Sequence, residues 1–309
     1  MTATDDLNAF KAAARILTWL GATSRLTLPI DLDLVRQMLP DTPLGRGSVI
    51  KEPADLTWNA SEGALVRNPE NEIEWGIFVN PKARPERRRF TIAHELGHFI
   101  LHRPRQSSFL CDKESVYSGI DNLKQIEREA DDFASNLLMP GDMLRDRIAG
   151  RRIDFHLIGE LAKEFGVSLE SMSIRIVKYT EQRAILVYWD HGFLKYQWPS
   201  SEARKTRVRL RKTADPQEPM CGTLAADDSV EQEWDGVDMP AKAWCTSEPD
   251  EIKLRELKHT YTGGNRVLSL LLIESAAPRP FVRSGWEDEE SRDTFDRFID
   301  SGQLPMGNR

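Results

Sequence analysis

The spacing of apolar residues divides the chain into a mainly helical part and a later, strand-rich part. The predicted helices span residues 6–21, 29–39, 123–138 and most of 141–180, and a further helix begins near Phe90. Short extended segments follow the second of these helices, and residues 76–80 form the clearest predicted strand. A polar stretch from about residue 103 to residue 122 predicts a loop.

Strand-like runs of branched and aromatic residues begin after Gln182. They are RAILVYW, FLKYQW, TRVRLRK and RVLSLLLI, and polar, acidic loops separate them. We find no internal repeat and no low-complexity tract along the chain. A domain boundary is therefore expected near residues 180–184.

Length and composition agree with a folded protein of about two domains. The chain has 309 residues, of which 40% are apolar and 29% are charged, and its mean hydropathy is −0.49. Its longest apolar runs, such as 267–273, are far shorter than the roughly 20 residues that a membrane-spanning helix needs. We expect no membrane association. Because two aspartates stand where a secretory signal would carry Lys or Arg, we also expect a cytoplasmic protein.

Charge and cysteine content argue against two further classes. The 42 Lys and Arg residues against 49 Asp and Glu residues give a net charge of −7, which disfavours non-specific coating of nucleic acid. Cys111, Cys221 and Cys245 are widely spaced and form no CxxC pair. The sequence therefore predicts neither a disulfide framework nor a zinc site made of thiolates.

The segment FTIAHELGHFILH, residues 90–102, contains the pattern His-Glu-x-x-His. On a helix, His94 and His98 lie one above the other, so both imidazoles can reach one metal ion. Glu95 is rotated by about 100° from His94 and can address a water molecule beside that ion. A catalytic zinc site uses three protein ligands and keeps one position open. The pattern supplies two ligands and a base, and a third ligand is missing.

A five-residue pattern also arises by chance on surface helices, but two features favour a metal site here. The apolar residues of this helix are Phe90, Ala93, Leu96, Ile100 and Leu101. A helix with these residues packs against the rest of the protein. Gly97 costs about 1 kcal/mol in helix propensity, and it allows a substrate or another chain segment to approach closely.

A second predicted helix offers the third ligand. In QIEREADDFASNLLMP, residues 125–140, the apolar residues at helical spacing are Ile126, Ala130, Phe133, Ala134, Leu137 and Leu138. At about 100° per residue, Glu127 falls inside this apolar stripe, where a carboxylate is costly unless it is paired or binds a metal. We therefore predict Glu127 as the third metal ligand. Asp131 lies one turn later at the edge of the stripe and is predicted to accept the second ring N–H of a ligating histidine.

Other interpretations of the candidate residues stay open. Glu127 could instead form a buried salt bridge with an arginine of the cluster at 84–89. Glu129, which the same helix phase directs towards solvent, would be the ligand if that phase is wrong by a residue or two. Tyr117 is a candidate for stabilising the oxyanion, or an ordinary loop tyrosine. We interpret His102 as a partly buried or substrate-side histidine, because three residues stacked on one helix cannot all bind one ion.

Together, the two motifs resemble the ImmA/IrrE family of zinc-dependent endopeptidases. The resemblance rests on FTIAHELGHFILH and, about thirty residues later, IEREADDFASNLLMP; it extends through LAKEFGVSLESMSIRIVKY and covers about residues 25–180. It implies that His94, His98 and Glu127 bind zinc and that Glu95 is the catalytic glutamate. Members often have Asn where this chain has Asp131, which keeps a hydrogen-bond acceptor but adds a charge.

The fold class expected from the patterns and the resemblance is α+β. We predict a zincin-like metallopeptidase domain over residues 1–147, a helical, helix-turn-helix-like connector over 148–182, and a β-rich C-terminal domain over 183–309. Some family members carry a sensor-like domain after the connector. A sensory role is therefore one interpretation of the last domain.

The resemblance implies a protease that cleaves a helix-turn-helix transcriptional repressor and so relieves repression in a stress response or on a mobile element. Zinc is the favoured metal, although His and Glu ligands also accept manganese. The alternative is a non-catalytic regulator that binds a repressor or DNA through the same fold. The intact base, Glu95, favours the enzyme, because a pure binding protein has no use for it.

The helix-turn-helix-like segment is a poor candidate for reading DNA. Its presumed second helix, which begins near Ser168, carries only Arg175 and Lys178 as cations. Base recognition in the major groove needs more hydrogen-bond donors than these two residues supply. We expect the segment to pack or to dock a protein partner, and direct DNA binding is kept as the less favoured interpretation.

Overall fold

The computed structural model describes residues 7–57, 62–111 and 121–275, with the backbone alone for 111 and 121–123. The helices are α1 (Ala9–Ala22), α2 (Leu32–Met38), α3 (Pro85–Leu101), α4 (Asp121–Leu138), α5 (Gly141–Ile148), α6 (Phe155–Phe165), α7 (Leu169–Tyr179) and α8 (Ser201–Lys205). The strands are β1 (Val49–Ile50), β2 (Ala54–Asp55), β3 (Gly63–Arg67), β4 (Glu74–Val79), β5 (Ser108–Cys111), β6 (Arg183–Asp190), β7 (Phe193–Pro199), β8 (Gln232–Pro240), β9 (Lys253–Thr260) and β10 (Arg266–Ile273). The fold class is mixed α+β.

The chain divides into two compact units. Among the described residues, the first unit comprises 7–141 and 162–168, and the second comprises 142–161 and 169–275. Each unit has its own β-sheet. The domain boundaries after residues 147 and 182 stay predictions. Across the part of the chain that the structure describes, no helix combines the length and the apolarity needed to cross a lipid bilayer.

The sheet of the first unit supports the helix that carries the predicted histidines. Its strands follow the order β1-β4-β3-β5, and β2 also pairs with β4. Strands β1 and β2 run parallel to β4, whereas β3 runs antiparallel to both β4 and β5. Alternating burial along β4 places Trp75, Ile77 and Val79 in the core, as the period of a strand requires. Helix α3 packs on β3 and β4.

Helices α3 and α4 pack against each other in this unit. The predicted apolar stripe of α4 is confirmed, since Ile126, Ala130, Phe133, Ala134, Leu137 and Leu138 are all buried. Helix α3 begins at Pro85, earlier than the predicted start near Phe90, because proline is well tolerated in a first turn, where its missing N–H has no helical partner. Residues 93–100 of α3 are all buried, so the polar side chains of His94, Glu95 and His98 lie in the interior.

The second unit contains an antiparallel sheet with the strand order β7-β6-β10-β9-β8. Three of the predicted runs, RAILVYW, FLKYQW and RVLSLLLI, form β6, β7 and β10. The prediction of a strand over TRVRLRK is wrong. There, Leu210 makes a single bridge to Cys245, and its side chain packs against the apolar cluster that contains Trp189 and Trp244.

Strands β8 and β9 lie in segments rich in charged residues, and the sequence patterns predict neither of them. Glu256 and Lys258 of β9 are nevertheless 0% and 2% exposed. The Glu256 carboxylate accepts hydrogen bonds from the backbone N–H groups of Leu224 (3.0 Å) and Ala225 (2.8 Å) and from the ring N–H of Trp244 (3.0 Å). These hydrogen bonds offset the cost of burying a charge. Because the donors are distant in sequence, the local pattern cannot predict that Glu256 is buried. The short strand β5, inside the predicted loop at 103–122, is missed as well.

Three helices, α5, α6 and α7, occupy most of residues 141–180, which confirms the helical prediction for this stretch. Residues 166–168 join α6 to α7, and Gly166 there has a φ of +66°, a conformation that glycine adopts without strain. Helix α7 packs against β6 and β7, and the hydroxyl of Tyr196 donates a hydrogen bond to Glu170. The role of this helix pair as a helix-turn-helix connector stays a prediction.

Candidate metal centre

Three side chains that the sequence predicts as metal ligands converge between α3 and α4. Nε2 of His94 lies 2.9 Å from Nε2 of His98. The two carboxylate oxygens of Glu127 lie 3.2 Å from Nε2 of His94 and 3.4 Å from Nε2 of His98. Within the described ranges, this is the one group of three or more His, Cys, Asp or Glu residues whose ligand atoms all lie within 4.8 Å of one another.

The donor set fits a divalent metal ion. Two ligands that each lie about 2 Å from one ion are separated by no more than about 4 Å. The three separations of 2.9, 3.2 and 3.4 Å all meet this condition. Two imidazoles and one carboxylate form a ligand set found in catalytic zinc sites, and manganese also accepts these donors. The geometry therefore supports binding of a divalent ion.

Burial and pairing put two of these groups in the protonation states that metal binding requires. Desolvation lowers the pKa of His98 from 6.5 to about 4, so its imidazole is neutral near pH 7. Burial by itself raises the pKa of Glu127, but hydrogen bonds and electrostatic attraction from His94 and His98 outweigh it and hold the pKa below its ordinary value. A neutral imidazole and an ionised carboxylate can bind a metal without first losing a proton.

Glu95, the predicted base, is fully buried on α3 between the two histidines. The backbone of β3 lies directly over its carboxylate. A methyl group on Gly63 would lie 2.7 Å from Oε1 of Glu95 and 2.4 Å from the side-chain methyl of Thr91. Since real methyl groups do not approach so closely, any larger residue at position 63 would force the side chains of Thr91 and Glu95 to move. The His-Glu-x-x-His pattern does not predict that Gly63 lies at the site, because this glycine comes some thirty residues before the pattern.

Each imidazole also has a partner at its other ring nitrogen. Nδ1 of His94 is 2.8 Å from Oδ1 of Asp131, the residue predicted for this role. Nδ1 of His98 is 3.1 Å from Nδ1 of His102, and Nε2 of His102 is 2.9 Å from Oε2 of Glu129. His102 is 1% exposed, so it is neither partly buried nor substrate-side, and Glu129 faces His102 although the helix phase directs it towards solvent.

Three arginines of the 84–89 cluster have partners other than Glu127. Arg87 faces Glu62 at 3.7 Å, Arg88 faces Asp55 at 3.1 Å, and Arg89 donates to the backbone oxygens of Ile30 (2.9 Å) and Gly166 (3.2 Å). The salt-bridge interpretation of Glu127 is therefore disfavoured, because its carboxylate faces His94 and His98 instead. Tyr117, the candidate for stabilising the oxyanion, lies outside the described residues.

The segment that holds this site matches a known family. Residues 52–177 match the family model described as the IrrE N-terminal-like domain, peptidase M78. The matched segment contains His94, Glu95, His98 and Glu127. Over this segment, the chain is similar to the ImmA/IrrE family.

Two curated relatives are each similar to a part of this chain. Over 126 residues, this chain is 34% identical to the radiation response metalloprotease IrrE of Deinococcus radiodurans. The alignment covers 40% of this chain and 35% of the relative. Over 114 residues, this chain is 33% identical to the protein of the same name from Deinococcus deserti. That alignment covers 37% of this chain and 38% of the relative. The aligned part thus spans little more than a third of these relatives.

A close approach of α3 and α4 brings the three predicted ligands together. A methyl group on Gly97 would lie 3.0 Å from the ring of Phe133, 3.1 Å from Cα of Ala130 and 3.2 Å from its carbonyl oxygen. Gly97 therefore allows α4 to lie against α3 at the level of the second histidine. Of the two interpretations of Gly97, close approach of a substrate or of another chain segment, the structure supports the second, because the neighbouring segment is α4.

We expect the substitution Gly97→Ala to destabilise the protein by up to about 2 kcal/mol. Overpacking of a well-packed core costs about 1–3 kcal/mol, and the better helix propensity of alanine offsets about 1 kcal/mol of it. Because the clash pushes α4 away from α3, metal affinity should fall as well. Urea denaturation of the metal-free protein and a metal titration measure the two effects.

Gly159→Ala is the matched control for this substitution. Gly159 also lies inside a helix, but a methyl group there would lie 3.9 Å from the nearest side-chain atom, Cδ1 of Leu169, which is an ordinary contact. Its replacement should stabilise the protein by up to about 1 kcal/mol and leave metal affinity unchanged. If Gly97→Ala also stabilised the protein, the close helix approach at this position would be wrong.

Proposed function

We propose that this protein is a metal-dependent endopeptidase that hydrolyses a peptide bond in a helix-turn-helix transcriptional repressor. The observation that carries the proposal is the convergence of His94, His98 and Glu127 beside the buried carboxylate of Glu95. Similarity to two proteins named as metalloproteases supports the reaction class. The substrate class follows from the family resemblance, and a role in a stress response agrees with the names of those relatives.

The residues of the site have distinct tasks in this reaction. Nε2 of His94, Nε2 of His98 and the carboxylate of Glu127 would hold the ion. A divalent ion bound there supplies Lewis acidity, which polarises the scissile carbonyl and makes water easier to deprotonate. Glu95 takes a proton from the attacking water and later passes it to the leaving amine. Its burial under β3 keeps bulk water from competing for that proton.

The protein's own targets can be found by comparing newly formed N-termini in cells that express the wild type or the Glu95→Gln variant. Terminal-peptide mass spectrometry of the two proteomes reveals cut sites that depend on Glu95. We expect at least one such site in a helix-turn-helix protein. Purified repressor and purified protein should then reproduce the cut with added Zn²⁺ or Mn²⁺, and a chelator should prevent it.

Each outcome decides one part of the proposal. Identical sets of N-termini in the two strains, together with a repressor that is bound but never cut in vitro, would favour a non-catalytic regulator. Cut sites that depend on Glu95 but fall only in other kinds of protein would keep the peptidase and refute the repressor as its substrate. Either result separates the chemistry from the choice of target.

A further inference from the structure

The second ligating histidine begins a chain of hydrogen bonds that the sequence analysis did not foresee. His98 and His102 are 0% and 1% exposed, and their Nδ1 atoms lie 3.1 Å apart. Nε2 of His102 lies 2.9 Å from Oε2 of Glu129. The side-chain amide of Gln125 donates to Oε1 of the same carboxylate at 2.8 Å. We call His98, His102 and Glu129 the relay.

Counting protons assigns a tautomer to both rings of the relay. With a metal bound, Nε2 of His98, which faces Nε2 of His94 and the carboxylate of Glu127, must offer its lone pair to the ion. A neutral imidazole has one N–H, and in His98 it must then be at Nδ1. That N–H can donate only if Nδ1 of His102 accepts. The proton of His102 is therefore at Nε2, where it donates to Glu129.

The plane of the His98 ring and its proton are held by different neighbours. The ring stacks on Phe109 of β5, with centroids 4.6 Å apart and planes inclined by 18°. Phe109 restricts how the ring tilts, but a phenyl ring cannot accept a strong hydrogen bond at Nδ1. The tautomer of His98 therefore depends on His102, and the tautomer of His102 depends on Glu129.

We propose that His102 and Glu129 are positioning residues that keep His98 in its metal-binding tautomer and strengthen it as a ligand. Hydrogen bonds from the second ring nitrogen of a ligating histidine to a carboxylate raise the basicity of the ligand. His94 has a direct partner of this kind in Asp131, which is half exposed. For His98 the carboxylate acts through a second, buried imidazole. This role rests on the proposed metal site, but its test does not need peptidase activity.

The test compares metal affinities of the wild type, His102→Leu, His102→Asn and Phe99→Leu, measured as Zn²⁺ dissociation constants by competition with a chelating dye. Leucine fills the space but offers no acceptor, so we expect affinity to fall by about 10- to 100-fold. Asparagine places its side-chain oxygen near the position of Nδ1 and should restore most of that loss. Phe99→Leu, a buried change on the same helix, controls for lowered stability and should leave affinity unchanged.

Histidine ring ¹⁵N NMR of the Zn²⁺-loaded wild type tests the tautomers without any substitution. The chain has six histidines, so the spectrum can be assigned. We expect the proton at Nδ1 in His98 and at Nε2 in His102. A proton at Nδ1 of His102, or a His102→Leu variant that binds Zn²⁺ as tightly as the wild type, would overturn the relay.

The outcomes also separate the relay from the proposed function. If the wild type binds Zn²⁺ tightly and His102→Leu binds it equally well, the relay is refuted while the metal site stands. If His102→Asn is no better than His102→Leu, the acceptor at Nδ1 is not what matters, and the relay is likewise refuted. A wild type that binds no Zn²⁺ contradicts the metal site itself and the relay with it.

Discussion

Replacing Glu95 by glutamine is expected to lower the rate of peptide hydrolysis by about 10²- to 10⁴-fold, the usual contribution of a general base. Glutamine has nearly the same shape as glutamate but cannot take a proton from water. Because Glu95 is not among the three converging ligands, the variant should bind metal as the wild type does. Initial rates on the identified substrate and a Zn²⁺ titration of the same preparation measure the two quantities.

Glu86→Gln is the matched control, since Glu86 lies in the first turn of the same helix but is exposed. It removes the same charge from α3 and should leave the rate nearly unchanged. A Glu95→Gln variant that keeps wild-type activity would show that Glu95 is not the base. The chemistry proposed for this site would then be wrong.

The second large effect is expected for Glu127→Ala, which should weaken metal binding by more than roughly 100-fold. Loss of a hydrogen-bond partner of a ligand typically costs 10- to 100-fold in affinity, and loss of a ligand itself should cost more. The informative comparison is with Glu129→Ala, because the sequence left Glu129 open as an alternative ligand. In the structure Glu129 faces His102, so its replacement should have a smaller effect than that of Glu127.

Asp132→Ala serves as the control for both variants, because Asp132 is an exposed acidic residue on the same helix. The Asp132→Ala variant should bind metal with the affinity of the wild type. If Glu129→Ala weakened binding more than Glu127→Ala, the assignment of the third ligand would have to be reversed. Isothermal titration calorimetry with Zn²⁺ on chelator-treated protein distinguishes the three variants.

The sequence predicts the core of this site because each part of it depends on one helix at a time. The spacing of His94 and His98 follows from the helical period. Glu127 is found because it interrupts an otherwise apolar stripe, and the structure places its carboxylate against both imidazoles. These inferences need no knowledge of how α3 and α4 are arranged relative to each other.

The contact between His102 and Glu129 could not be predicted in the same way. It depends on the distance and crossing of two helices, which the close approach of Gly97 to Ala130 sets. Seen on α4 alone, Glu129 points away from the apolar stripe, and its side chain is indeed 34% exposed. The pattern His98-x-x-x-His102, one turn beyond the ligand, was the available signal. Because three histidines stacked on one helix cannot all bind one ion, this pattern does not by itself indicate a role for His102.

The fold shows the same division between local and tertiary information. Strands rich in branched and aromatic residues, such as β6 and β10, are predicted because burial dominates their composition. Strand β9 escapes prediction because its charges are compensated by partners distant in sequence, as the bonds from Leu224 and Trp244 to Glu256 show. Sequence patterns predict burial well, but they do not show which groups distant in sequence form hydrogen bonds that stabilise a buried charge.

The most direct test of the metal site is an anomalous-scattering map from crystals of the protein soaked in Zn²⁺, recorded on both sides of the zinc absorption edge. The proposed arrangement predicts one strong peak bonded to Nε2 of His94, Nε2 of His98 and the carboxylate of Glu127. A map without a peak at these atoms, or a peak held by Glu129 with Glu127 turned away, would contradict it.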